Sequence, residues 1–297
     1  MANLPQRQRV AAYAVVMRTA ADGTARVLLS RLAPKVSTDE LWTLPGGGID
    51  HGEHPRDALV REVKEETGLD ALVGDTAHVY SAHVPTLWRE GTRLDYQALR
   101  LVFEAWVATD APEPRVLEVN GSTMDAAWVP VAEVLDGTVP VTSLVTEAMA
   151  DHEPFRLQRL AAYAVIRRGG DVLLTRISSR GHHAGSWTLP GGGVDHGESP
   201  TVALEREVLE ECGLECEVGG LLGVHDVHFA GTAPSGRHED FHGIHLLFAA
   251  TVADGAEPHA AEVDGTTDAA AWVRVADIEA GRVDVLDVVH AALAQGA

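Results

Sequence analysis

Cysteine is nearly missing from this chain: Cys212 and Cys216 are the only two among 297 residues. That excludes a disulfide framework and suits a reducing cytoplasm. Four residues apart at an expected helix end, the pair reads as two ordinary, partly buried thiols. Long apolar runs are absent as well. No stretch of about 18 apolar residues occurs, and no basic-then-apolar leader follows Met1. The expectation is a cytoplasmic protein without a membrane span or secretion signal.

Positive charge is the third scarcity. Lys and Arg number 23 against 44 Asp and Glu, for a net charge of −21. The deficit is spread evenly, with 13 basic and 23 acidic residues in 1–153 and 10 and 21 in 154–297. So negative a surface repels a phosphate backbone, which argues against bulk nucleic-acid binding. It also repels any small phosphorylated molecule unless cations stand between. The charge balance therefore points to a divalent metal before any motif is read.

What the chain does have is length for two domains, with 45% apolar residues, and a repeat that fills it. Residues 8–16 match 158–166, 27–31 match 172–176, and 42–46 match 187–191. The offset is 150 at the first strand, 145 in the middle and 144 at the last pair, Trp128 and Trp272. A unit this long is a whole domain rather than a solenoid repeat. Pro154 interrupts a helical pattern, which places the expected boundary between domains at 1–152 and 153–297.

Each half has the same order of elements. An apolar strand (10–17; 160–166) and a second (26–31; 171–176) predict a hairpin. A loop, one helix, two more strands (77–84 and 96–108; 223–228 and 242–252), a short strand at the tryptophan and a final helical stretch follow. This is an α+β pattern: a curved mixed sheet with helices on its faces.

The densest part of the repeat spans 47–69 and 192–214, and both copies fit G-x5-E-x7-R-E-U-x-E-E-x-G-U, with U a bulky apolar residue. A helix should start at Pro55 or Pro200, with Ser199 as an N-cap, and stop at Gly68 or Gly213. Within it Glu62, Glu65 and Glu66 stand at i, i+3 and i+4, as do Glu207, Glu210 and Glu211. That spacing puts three carboxylates on one helix face, where they repel one another without a partner. Hard oxygen donors at this density suit Mg²⁺ or Mn²⁺, which in turn bind diphosphate oxygens.

The pattern resembles the box of the Nudix hydrolases, metal-dependent enzymes that cleave nucleoside diphosphates linked to another moiety. The resemblance implies two tandem α/β/α sandwich domains acting on a small nucleotide derivative. It implies metal ligation by Glu62, Glu65, Glu66 and the Gly47 carbonyl, and by Glu207, Glu210, Glu211 and Gly192. It further implies that Glu53 and Glu198 brace the loop through Arg61 and Arg206. The general base is one of the box carboxylates or a later glutamate; Glu118 and Glu262 are candidates, Glu104 a weaker one. Arg31 and Arg176, at strand ends, are candidate phosphate contacts. Trp88 and Tyr96, or Phe229 and Phe241, either stack on a base or pack the core or rim. In the second half His225, His228, His238, His242 and His245 cluster at spacings open to zinc, pocket lining or plain surface. A nucleotide sensor, or one catalytic domain beside a structural one, is the competing reading. Two domains in one chain would imitate a homodimer and favour a monomer.

Overall fold

The apolar stretch that opens each half is buried on both of its faces, and this organises everything around it. The computed structural model describes residues 4–89, 91–181, 183–261 and 265–295. In the first half the elements are β1 (Gln6–Thr19), β2 (Ala25–Leu32), β3 (Trp42–Thr43), β4 (Gly46–Gly48), α1 (Pro55–Thr67), β5 (Ala71–Arg89), β6 (Thr92–Val107), β7 (Thr123–Pro130), α2 (Val131–Leu135) and α3 (Ser143–Asp151). The second half repeats them as β8 (Phe155–Arg168), β9 (Asp171–Ile177), β10 (Trp187–Thr188), β11 (Gly191–Gly193), α4 (Pro200–Cys212), β12 (Cys216–Thr232), β13 (His238–Val252), β14 (Thr267–Arg274), α5 (Val275–Glu279) and α6 (Asp287–Gln295). Two compact units result, Met1–Phe155 with Ala230–Asp240, and Arg156–Phe229 with Phe241–Ala297.

Each half builds a seven-stranded curved mixed sheet, ordered β3-β2-β1-β6-β5 and β10-β9-β8-β13-β12. β1 runs parallel to β6, from Gln6 opposite Asp95 to Val16 opposite Ala105, and turns antiparallel onto β2 at Met17–Val27. A strand with period-two side chains and helices on both sides must be apolar at successive positions. Ala12, Ala14 and Val16 pack with Leu59 and Val63 of α1, while Val15 and Met17 pack with Val145 and Ala148 of α3. In the second half Ala162, Ala164 and Ile166 meet Leu204 and Val208 of α4, and Val165 meets Val289 and Ala292 of α6. Leu28, Leu59, Leu173 and Leu204 are fully buried, each contributing about 2 kcal/mol of apolar transfer energy. The fold is thus α+β, and no helix among the described residues is long and apolar enough to cross a membrane.

The hairpin and the helix limits follow the sequence pattern; other details differ. β5 and β6 run past the expected limits on both sides of their turn. The final helical stretch is two helices, α2 and α3. Ser199 caps α4 by position alone, because its hydroxyl meets that of Thr201 at 3.1 Å rather than a backbone amide. In α1 the same place is taken by His54, whose ring nitrogen accepts from the Arg56 amide at 3.3 Å.

Candidate metal and phosphate site

α1 starts where Pro55 fits a first turn and stops at Gly68, whose φ of 72° closes the last turn onto the Lys64 carbonyl. Leu59 and Val63 fix the helix against β1, so the adjoining stripe of acids faces the glycine loop of β4. There Arg61 is the hub. Its Nε and Nη2 donate to the two oxygens of Glu53 at 3.0 and 2.9 Å, and Nη2 reaches the Gly48 carbonyl at 3.3 Å. Nη1 donates to Glu62 at 2.8 Å and to Glu65 at 3.5 Å. The Arg61 guanidinium and the Asp50 amide hold the Glu53 carboxyl down to about 2. Arg206 repeats the hub on Glu198, Gly193, Glu207 and Glu210, at distances between 2.8 and 3.3 Å.

Glu62 lies over bare backbone. A Cβ on Gly47 would come within 2.5 Å of the Glu62 carboxyl, and one on Gly192 within 2.7 Å of Glu207. Burial lifts the Glu62 pKa, the nearby Arg61 offsets part of the rise, and Glu65 and Glu118 add to it. The third acid is turned inward. Glu66 is 3% exposed, accepts from the Gly46 amide at 3.1 Å and from the Thr123 hydroxyl at 2.5 Å. Glu211 does the same with Gly191 at 3.0 Å and Thr267 at 2.7 Å. Burial pushes Glu66 up to about 7 despite these donors.

Oxygen donors alone face this loop, the donor chemistry of a hard dication. As the side chains stand, no three His, Cys, Asp or Glu among the described residues form a cage for an ion. The reason is visible: Glu62 and Glu65 are drawn to Arg61, and Glu66 to Thr123. A dication would compete with the guanidinium for the first two. The donor set fits Mg²⁺ or Mn²⁺.

The raised Glu66 carboxyl has a measurable consequence. Between its unfolded pKa near 4.5 and about 7 the folded state binds the extra proton, so stability falls as pH rises across that window. In metal-free protein the wild-type thermal midpoint should drop between pH 5 and 8 relative to that of Glu66→Gln. The difference should reach about 3 kcal/mol at the upper end. A constant offset between the two melting curves across this range would contradict it.

Glu118 is brought to the helix end: its amide donates to the Glu65 carbonyl at 3.0 Å. Glu262 lies outside the described residues. Glu104 is tied to Arg237, which also covers the Trp106 ring at 4.8 Å. Arg31 pairs with Asp125 at 3.5 Å and Glu40 at 3.8 Å, and Arg176 with Asp268 at 2.7 Å. Each strand-end guanidinium is thus already neutralised. The histidines do not gather either. Strand alternation sends His225 and His245 to one face, with centroids 5.3 Å apart, and His228 and His242 to the other, 5.6 Å apart.

Sequence reasoning missed three pairs. Thr123 and Thr267 hold the buried glutamates. Arg9 and Arg159 lie against the glycine loop, where a Cβ on Gly48 or Gly193 would meet their Nη2 atoms at 2.9 and 2.5 Å. Among the described residues neither guanidinium has a hydrogen-bond or ion-pair partner. Tyr13 and Tyr163 stand beside them, partly buried, with hydroxyl pKa values raised by burial and by Glu66 or Glu211. The signal for all three lay in the repeat itself, which carries each of them twice. In the second half a polar cavity of about 240 Å³, lined by Ser178, Ser179, Arg180, Gly265, Thr267 and Asp268, shares Thr267 with Glu211.

The family model of the NUDIX domain matches residues 7–148 and again 157–291. The chain belongs to the Nudix hydrolase family. It carries two Nudix domains in tandem. It is 36% identical over 83 residues to the CTP pyrophosphohydrolase of Escherichia coli (strain K12), covering 27% of this chain and 62% of that protein. To the nucleoside triphosphatase NudI of Enterobacter sp. (strain 638) it is 34% identical over 94 residues, 31% of this chain and 67% of the other. The crystal structure of a MutT NUDIX hydrolase from Burkholderia pseudomallei matches at 30% identity, 48% coverage of this chain, 99% of its own and a TM-score of 0.38. The chain therefore spans only about two thirds of the length of these curated Nudix relatives.

Proposed function

We propose that both Nudix domains, divided at 152/153, hydrolyse the phosphoanhydride bond of a nucleoside diphosphate derivative or a nucleoside triphosphate. The observation that supports this most is the repeated carboxylate and glycine-loop geometry, the same in two halves that differ elsewhere. Glu62, Glu65, Glu66 and the Gly47 carbonyl would hold Mg²⁺ or Mn²⁺, as would Glu207, Glu210, Glu211 and Gly192. The bound ion supplies neutralisation of phosphate oxygens and a more acidic water. The names of the curated relatives, a pyrophosphohydrolase and a triphosphatase, agree with this class of bond.

The chain's own groups do the rest. Arg61 and Arg206 fix the loop and orient the first two acids. Arg9 and Arg159, which have no ion-pair partner among the described residues, take a phosphate contact at the loop, while Arg31 and Arg176 reach phosphate only by giving up their acidic partners. Glu118 accepts the proton of the attacking water. Oxygen adds to one phosphorus, the anhydride P–O bond breaks, and a nucleoside monophosphate leaves with a phosphorylated second product or pyrophosphate.

A metal-supplemented screen of ADP-ribose, dinucleoside polyphosphates, nucleotide sugars and nucleoside triphosphates, scored by product masses, tests the reading. Release of a nucleoside monophosphate from at least one class is expected; no turnover of any with either ion would refute it. On the substrate so found, Arg9→Ala with Arg159→Ala should raise KM about tenfold, as expected for one charged hydrogen bond, with an unchanged circular dichroism spectrum. Glu118→Gln, in protein whose second domain is silenced by Glu207→Gln, should lower kcat about a hundredfold. An unaltered kcat there would transfer the proton to another group.

A further inference from the structure

The two domains repeat their boxes closely but not the sheet face that leads away from them. In the second domain that face is aromatic. Tyr163 meets His245 edge-on at 5.1 Å, His245 lies against His225, and Phe241 lies against Phe229 at 5.4 Å. Gly243 forms the floor between them: a Cβ there would be 3.0 Å from His245 Nε2 and Phe241 and 3.1 Å from Val227. The phenylalanines are not core residues. Phe229 is 55% exposed, a large apolar ring left facing solvent.

This face joins the box directly. The backbone of Tyr163 pairs with Gly191 of the glycine loop, and its hydroxyl is held up to about 12 by burial and by the charges of Glu211 and Glu207. A ligand with phosphates at those glutamates has its other end over the rings. The imidazole pair then has a defined chemistry. The two Nδ1 atoms are 3.1 Å apart, a distance that requires one shared proton. Burial and the neighbouring ring hold His245 down to about 4. With both rings neutral, one Nε2 is a donor and the other an acceptor, the pattern of a nucleobase edge.

The first domain has a different lining at the same positions. Register puts Tyr80 opposite Arg100, Ala82 opposite Ala98 and Val84 opposite Tyr96. Arg100 is a permanent cation, with Nη2 3.4 Å from Glu147 on α3. One ring is lost to Val84, and the imidazole pair is gone.

We propose that His225 and His245 select the substrate of the second domain, reading the donor–acceptor edge of a base stacked on Phe241 and Phe229, so that the two domains prefer different nucleotides. The proposal rests on the nucleotide reading for its class of ligand. Its test uses the full chain in two forms. Glu62→Gln with Glu65→Gln silences the first domain, and Glu207→Gln with Glu210→Gln silences the second. The ratios of kcat/KM among adenine, guanine, cytosine and uracil nucleotides should differ between them by about tenfold for at least one pair of bases. His245→Arg in the first-silenced form should move its ratios toward those of the other domain. Equal ratios in both forms, or a uniform loss with His245→Arg, would overturn it.

A second measurement separates this from failure of the hydrolase reading. Free nucleosides, with no phosphate or metal, are titrated onto the full chain by saturation-transfer NMR. Phe241→Leu, which keeps an apolar side chain and removes the ring, should weaken binding of the preferred nucleoside about tenfold. Unchanged binding defeats the proposal whether or not any nucleotide is hydrolysed.

Discussion

Replacing Glu66 and Glu211 together by glutamine should cut metal-dependent turnover about a thousandfold or more, the loss expected when a metal site gives up several kcal/mol of charge stabilisation. Glutamine has the same shape: its oxygen still accepts from the Gly46 amide, and its NH2 group donates to the Thr123 hydroxyl, which turns from donor to acceptor, so the inward contacts survive. What it removes is a charge whose carboxyl already titrates near 7 because burial opposes ionisation. At pH 8 the variant should therefore be no less stable than the wild type, and lost activity is not lost folding. Each single variant carries separate information. If the domains are independent enzymes, each leaves the turnover of the other intact; if either change alone abolishes everything, one domain depends on its neighbour. Full activity in the double variant would remove these carboxylates from the chemistry.

How much of this was legible in the sequence depends on how local the information was. Pro55, Gly68 and the i, i+3, i+4 acids lie within 13 helical residues and their caps, so the helix, its limits and its acidic face follow from short-range chemistry. The inward turn of Glu66 was not legible, because the hydroxyl that fixes it comes from Thr123, 57 residues later and on β7. The partner of Arg31 was no more legible, since Asp125 lies 94 residues away. Taken alone Arg31 is an exposed cation at a strand end; β7 lies beside β2 and sets Asp125 against it. Arg9 shows the converse. It sits in the most ordinary part of the repeat, an N-terminal strand, and only the β1–β4 pairing brings it under Gly48. The histidine cluster was visible as a composition, but whether five rings meet is decided by strand parity. Positions 225 and 245 share one face, positions 228 and 242 the other. Period two was available from the sequence; the register that applies it was not.

The glycines of the loop should divide into a structural and a chemical one, and the two outcomes are far apart. Gly46 has φ 139° and Gly191 the same, a region that side chains other than glycine rarely enter, and a Cβ there would run into the Ala12 or Ala162 carbonyl oxygen. The obstacle is the backbone of the central strand, which has no rotamer to change. Gly46→Ala should cost the first domain about 3 kcal/mol or more, seen as one melting transition moving down while the other stays. Gly47 has no such φ, and the atoms that its Cβ would strike belong to the end of the Glu62 side chain. That carboxylate can swing aside, so Gly47→Ala with Gly192→Ala should change stability by less than about 1 kcal/mol. Swinging aside takes Glu62 and Glu207 off the loop backbone. A displacement of about an ångström at a reacting centre lowers rates about a hundredfold. The paired Gly47 and Gly192 variants should therefore fold like the wild type and turn over about a hundred times more slowly. Were they to keep full activity, Glu62 would not need its place over the bare glycine, and the carboxylate–carbonyl pairing on which the metal site depends would be wrong.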